Sequence, residues 1–266
     1  MIGPFVDPEW LGDHPEAVLV DVRWYADGSS GRAAYERAHL PGAVYVDLDA
    51  VLAAPPSIAD GRHPLPDPAV FAAGLAAAGI GDDDVVIAYD DDSGAIAARL
   101  VWMLRVTGHQ AALLDGGITG WLGRRETGVV TRPAAVFTPP VWPDDRLVDI
   151  DDVAAADVVV DARPAERYRG EVETIDARPG HVPGARSVPA RDNVDARGRL
   201  LPVPELRSRL AAAGVQRDGD WVSSCGSGVT ACHTLLVAEH LKLAPGRLYP
   251  GSWSQWAATD RPAETG

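Results

Sequence analysis

The residues best suited to chemistry are Cys225-Gly226-Ser227-Gly228-Val229-Thr230. A thiol becomes a nucleophile where its surroundings favour the thiolate, and backbone N–H groups at a helix start do this. The cysteine follows Asp220-Trp221-Val222-Ser223-Ser224, which reads as a short buried strand. It precedes the stretch from Ala231 to Ala238, which reads as the first turns of a helix. Gly226 and Gly228 let the turn bend so that several amides face the sulfur. Ser227 and Thr230 add hydroxyls, and so polar a loop answers no packing need. The predicted chemistry is attack by Cys225 on a transferable group. The amides of Gly226, Gly228, Val229 and Thr230 then cradle the anion that results. Cys232, seven residues on, falls inside the helix and reads as a packed thiol, with a resolving thiol as the alternative. A cysteine phosphatase needs Cys-x5-Arg so that the arginine clamps the phosphoryl oxygens. The position six after Cys225 is Ala231.

The elements that must position this loop come from a chain of 266 residues, long enough for two domains. Hydrophobic residues make up 46% and charged residues 23%, a globular composition. The net charge of −14 argues against nucleic acid or an anionic membrane as partner, because phosphate binding needs a basic surface. A small anionic substrate must then be held by local arginines against an unfavourable overall field. The basic side chains are almost all arginine, Lys242 being the single lysine, and arginine suits bidentate anion binding. No apolar run approaches membrane-spanning length, and the first residues show no basic region or signal core. Two cysteines are too few for a disulfide framework and fit a reduced compartment. A soluble cytoplasmic protein is expected.

The two halves repeat each other. Val18-Leu19-Val20-Asp21-Val22-Arg23 returns as Val158-Val159-Val160-Asp161-Ala162-Arg163, and Ala38-His39-Leu40-Pro41-Gly42-Ala43 as Gly180-His181-Val182-Pro183-Gly184-Ala185. Helix-like stretches at 71–79 and 206–214 match, and so do Asp115-Gly116-Gly117 and Tyr249-Pro250-Gly251. The copies lie about 135 to 142 residues apart, a domain-sized period. Continuous apolar runs at 17–22, 85–89 and 111–114 read as strands, with a helix over 97–106. Buried parallel strands look like this. The expected fold is α/β: two tandem domains, 1–123 and 146–266, each a parallel sheet with helices on both faces. A Pro-rich connector spans 124–145. In the first copy Asp90 or Asp91 stands where the second has Cys225. A carboxylate cannot do thiolate chemistry, so the second copy is expected to be catalytic and the first not.

Taken together, the paired Asp-x-Arg strands, the paired His-x-Pro-Gly-Ala turns, the single cysteine loop and the closing Gly251-Ser252-Trp253-Ser254-Gln255-Trp256 resemble the tandem-domain rhodanese-like sulfurtransferases. That resemblance implies transfer of a sulfane sulfur from a small anionic donor, through a Cys225 persulfide, to a thiol or cyanide acceptor, thioredoxin-like proteins among them. It implies no metal or organic cofactor. The loop Cys-Gly-Ser-Gly-Val-Thr is most similar to that of the 3-mercaptopyruvate sulfurtransferases. Members using thiosulfate carry basic residues where Gly226 and Ser227 stand. The resemblance further implies a relay of Ser227, His63 and Asp49 and a substrate arginine at Arg167. The family's second arginine falls on Thr174, and Arg178, four residues on, is the candidate to replace it. A thiosulfate sulfurtransferase and a persulfide carrier serving a protein partner are the alternatives.

Overall fold

The continuous apolar runs form strands that pair in parallel, in two separate sheets. The computed structural model describes residues 1–266. Unit 1 comprises Met1–Ala54, Pro66–Trp142 and Val194–Leu200; unit 2 comprises Pro55–Leu65, Pro143–Asn193 and Leu201–Gly266. Each unit therefore includes one short segment from the opposite half of the sequence.

Unit 1 holds β1 (Phe5–Val6), β2 (Val18–Asp21), β3 (Val44–Tyr45), β4 (Val86–Tyr89) and β5 (Ala111–Leu114). They lie in the order β1-β5-β4-β2-β3, all parallel. The central β4 is buried along its whole length, which is why its sequence shows no polar alternation. The sheet is flanked by α1 (Pro8–Asp13), α2 (Gly31–Arg37), α3 (Pro68–Ala77) and α4 (Ala98–Val106). Helix α3 starts three residues before the periodic stretch because Pro68 fits the first turn and Asp67 caps it, accepting from the Ala69 N–H. Leu40, Ile87, Tyr89, Ala112 and Leu114 form one of its buried clusters. The Pro-rich segment belongs to this unit as far as Trp142, whose Nε1 donates to the Pro66 carbonyl at 2.9 Å.

Unit 2 holds β6 (Val159–Asp161), β7 (Arg186–Ser187), β8 (Val222–Ser224) and β9 (Arg247–Leu248), in the parallel order β7-β6-β8-β9. It is flanked by α5 (Ile150–Ala155), α6 (Ala165–Tyr168), α7 (Val203–Ala212), α8 (Ala231–His240) and α9 (Ser252–Trp256). Val159, Val182, Val222, Tyr249, Trp253 and Trp256 pack into one cluster, so the closing aromatic segment is core.

The duplicated Asp-x-Arg motif does the same work in both units. Arg23 forks onto Asp21 and extends Nη2 to the Ala38 carbonyl. Arg163 forks onto Asp161 and extends Nη2 to the Gly180 carbonyl at 2.8 Å. Ala38 and Gly180 immediately precede the two His-x-Pro-Gly-Ala turns. The buried guanidinium thus ties the ends of β2 and β6 to their turns and satisfies a carbonyl there.

Candidate active site

Strand β8 places the cysteine. Ser224 pairs with Asp161 of β6, and Cys225 follows with 1% of its surface exposed. Its N–H donates to Ser252 Oγ at 3.1 Å, and that hydroxyl donates to the Tyr249 carbonyl at 2.8 Å. The carbonyls of Cys225 and Gly226 accept from the N–H groups of Trp253 and Ser254, at 2.9 and 2.8 Å. Helix α9 therefore clasps the loop along its backbone. Gly228 has φ +73°, and a Cβ there would lie 2.6 Å from the Pro250 carbonyl oxygen, so both conformation and space demand glycine. Val229 is buried, and Thr230 sits at the cap position of α8. Cys232 is buried in α8 with its thiol on the Gly228 carbonyl at 3.4 Å.

Ser227 and His63 meet here. Ser227 Oγ and His63 Nδ1 lie 2.8 Å apart, and both residues are buried. His63 stands 164 positions away in sequence, on the segment 55–65 that belongs to unit 2. That segment is pinned by the Arg62 N–H on Ser254 Oγ at 3.0 Å, and by Gln255 Nε2 on the Ala59 carbonyl. Gly61, at φ +89°, passes so close to Gly251 that a Cβ would sit 2.6 Å from its carbonyl oxygen. Asp49 lies in unit 1, where it accepts from Trp24 Nε1 at 2.8 Å.

Arginines crowd the residue after the cysteine. A Cβ on Gly226 would find Arg62 Nη2 at 3.2 Å, Arg167 Nη1 at 3.5 Å and Arg163 Cδ at 3.9 Å. Asp176 joins two of them, accepting from Arg62 Nη1 at 2.6 Å on one oxygen and from Arg167 Nη2 at 2.8 Å on the other. Arg167 Nη2 also reaches both oxygens of Glu173, at 2.8 and 2.9 Å. Burial would raise the Glu173 pKa, but the N–H groups of Asp176 and Ile175 and the Arg167 guanidinium outweigh it and hold the carboxyl below its usual range. Glu173 and Asp176 raise the Arg167 pKa in return, against burial. Arg178 is engaged elsewhere: its Nη2 donates to the carbonyls of Trp256 and Arg261.

Unit 1 shows what the same loop does with a carboxylate. Asp21 pairs with Tyr89 as Asp161 pairs with Ser224, so the residue next in line, Asp90, is the counterpart of Cys225. The Ile118 N–H on the Asp90 carbonyl, at 3.0 Å, repeats that of Trp253 on Cys225. Asp90 is fully buried and accepts from the N–H groups of Asp92 and Gly94 on one oxygen and of Ile96 and Ala97 on the other, all at 2.7–2.8 Å. Burial pushes its pKa up to about 6 while those amides pull the other way. A strand-to-helix loop of this fold thus converges four amides on an anion.

Arg62, Asp176, Glu173 and Ser252 escaped the reading of the sequence. Arg62 adjoins His63 in Gly61-Arg62-His63-Pro64, the single cue that was open to notice. Asp176 and Glu173 lie in an irregular acidic stretch with no pattern to mark them.

Comparisons with known proteins point to one family. The model of the rhodanese-like domain matches residues 7–124 and again 145–259. A Pseudomonas aeruginosa protein named "Probable 3-mercaptopyruvate sulfurtransferase" is 40% identical, over 95% of this chain and 93% of its own. An Arabidopsis thaliana protein named "Thiosulfate/3-mercaptopyruvate sulfurtransferase 1, mitochondrial" is 30% identical, over 98% of this chain and 78% of its own. The solved structure of the 3-mercaptopyruvate sulfurtransferase from Leishmania major superposes with a TM-score of 0.85 at 32% identity, covering 98% of this chain and 75% of that one. No helix is long and apolar enough to cross a membrane.

Proposed function

Because the chain belongs to the family of rhodanese-like domains, carried here in two copies, we propose that unit 2 moves sulfur from 3-mercaptopyruvate to a thiol or cyanide through a persulfide on Cys225. The protein is an enzyme of the sulfurtransferase kind, as its relatives are named. In the first half-reaction the Cys225 thiolate attacks the donor sulfur. The C–S bond breaks, its electron pair leaves as the enolate of pyruvate, and a proton completes pyruvate. In the second, the acceptor thiolate or cyanide attacks the outer sulfur, the S–S bond breaks, and the Cys225 thiolate returns. Two half-reactions at one sulfur imply ping-pong kinetics. The amides of Gly226, Gly228, Val229 and Thr230 face the persulfide, as four amides face Asp90 in unit 1. Unit 1, with Asp90 in place of a thiol, supplies no nucleophile. Cys225 and Cys232 are both thiols outside any disulfide, which suits a reducing cytoplasm.

The observation that carries the choice of donor is the buried Ser227–His63 contact. 3-Mercaptopyruvate brings a thiol proton that must leave and an enolate that must gain one; thiosulfate has neither. Asp49 enters this relay on the family resemblance alone. The test is kcat/KM for both donors with cyanide as acceptor. We expect 3-mercaptopyruvate to be favoured at least about tenfold, roughly 1.4 kcal/mol of transition-state preference. A preference for thiosulfate overturns the donor assignment. One observation favours that second reading: the Arg62 and Arg167 guanidiniums stand beside Gly226, where thiosulfate-using members carry loop cations.

A further inference from the structure

The family's second substrate arginine has no counterpart at Thr174, and Arg178 spends its guanidinium on backbone carbonyls. We infer that Arg62, from the opposite half of the sequence, is the second anion-binding residue, paired with Arg167 to hold the donor's carboxylate at Gly226. The inference rests on the reading of Cys225 as the transfer nucleophile and of the donor as a keto acid.

The geometry is that of a two-armed clamp. Asp176 takes one terminal nitrogen from each arginine, Nη1 of Arg62 and Nη2 of Arg167. The other terminal nitrogens, Arg62 Nη2 and Arg167 Nη1, turn toward one point, 3.2 and 3.5 Å from where a Gly226 side chain would begin. That point lies one residue from the nucleophile, and glycine leaves it open. A carboxylate has two oxygens, and two guanidiniums fixed on a shared backing group offer it two separated donors. Asp176 is the positioning residue. Its side chain is 3% exposed, while those of Arg62 and Arg167 keep 27% and 15%, enough to meet a ligand.

The charge count narrows the ligand class. Arg62, Arg163 and Arg167 face Asp161, Glu173 and Asp176, three cations against three carboxylates. A cluster already neutral accepts a single negative charge with directed donors more readily than two. The clamp therefore suits a monoanionic carboxylate over a dianion, and its cations do not by themselves make this a thiosulfate site.

The decisive measurement is binding of 3-mercaptopyruvate to the Cys225→Ser protein by calorimetry, which needs no turnover. Arg62→Gln in that background should weaken binding about tenfold or more. Arg62→Lys should recover part of the loss, and Arg178→Gln should bind as the parent does. In the active enzyme Arg62→Gln should raise KM in the same proportion with kcat little changed. A second measurement uses the unsubstituted arginines. Phenylglyoxal labelling of Arg62, followed by mass spectrometry, should slow severalfold in saturating pyruvate. The inference is overturned if Arg62→Gln binds within about twofold of its parent at an unchanged melting temperature. It is overturned equally if Arg178→Gln weakens binding as much, if pyruvate leaves Arg62 unprotected, or if the Cys225→Ser protein binds no 3-mercaptopyruvate. Binding that depends on Arg62 without sulfur transfer in the active enzyme would instead count against the transfer reading alone.

Discussion

The duplicated Asp-x-Arg motif offers an experiment with its own matched control. Asp161→Asn keeps the shape of the side chain and removes its charge. Arg163 is then left 2% exposed, its Nε and Nη2 facing an amide that can accept with only one atom. Removing one partner of a buried pair costs about 3–5 kcal/mol, because the remaining charge is uncompensated. Asp21→Asn does the same to Arg23 in unit 1, where the contacts are Nε at 3.0 Å and Nη2 at 2.7 Å, so a similar loss of about 3–5 kcal/mol is expected there. The two variants part at the site. Arg163 lies over the Trp253 ring at 4.9 Å and sets its Cδ 3.9 Å from the Gly226 side-chain position. Arg23 makes its contacts on Asp21 and the Ala38 carbonyl of unit 1. Asp161→Asn should lower kcat/KM per folded molecule and Asp21→Asn should not. The assays are calorimetric unfolding of each variant and donor kinetics well below the first transition. Unfolding shifts below about 1 kcal/mol, or equal kinetic losses in the two variants, would refute the reasoning.

Three further outcomes are expected. Cys225→Ser should lose the persulfide mass increment and all turnover at an unchanged melting temperature, whereas Cys232→Ala should still acquire the increment; intact-mass spectrometry with each donor decides both. His63→Gln should slow the 3-mercaptopyruvate reaction about a hundredfold and the thiosulfate reaction much less, and equal slowing would remove proton transfer from the role of that side chain. His233, wholly buried in α8, has its pKa pushed down to about 4 by burial, from an ordinary 6.5. A lowered folded-state pKa means stability present above pH 6.5 and lost as pH falls toward 4, at most about 3 kcal/mol. Unfolding free energies of wild type and His233→Gln, compared from pH 7 to 4, should show a difference that shrinks on acidification; a constant difference would sink the assignment.

The parts of this molecule that were legible in the sequence are those set by local chemistry. Cys225 announced itself through residue type and through the change from strand to helix pattern around it. The duplication was open to reading because Asp-x-Arg and His-x-Pro-Gly-Ala serve one mechanical purpose twice. Strands β2, β4 and β5 lie within a residue or so of the apolar runs that predicted them. Helix starts were less visible. Pro68 and Val203 begin α3 and α7 ahead of the periodic stretches, since caps and proline extend a helix beyond its apolar face. The choice between Asp90 and Asp91 needed the strand pairing, because the first copy's loop is longer than the second's. Arg62 carried one local cue, its place beside His63, and the rest of its role lay outside any local pattern. Its meeting with Gly226 is a contact between distant parts of the chain, made by a segment that leaves its own half of the sequence, and no periodicity encodes that.

Asp90 has a consequence for how the two loops move. Its carboxylate is a ligand that never dissociates, so the loop of unit 1 is folded around its guest at all times. The amides of Asp92, Gly94, Ile96 and Ala97 have their acceptor whether or not any donor is present. In the reading proposed for unit 2, the corresponding amides face a charged outer sulfur only while Cys225 carries one. Amide hydrogen exchange should therefore be slow and indifferent to substrate in the first loop, and should slow in the second as the sulfur is loaded. On that reading, one copy of the fold holds permanently the state that the other would enter once per turnover.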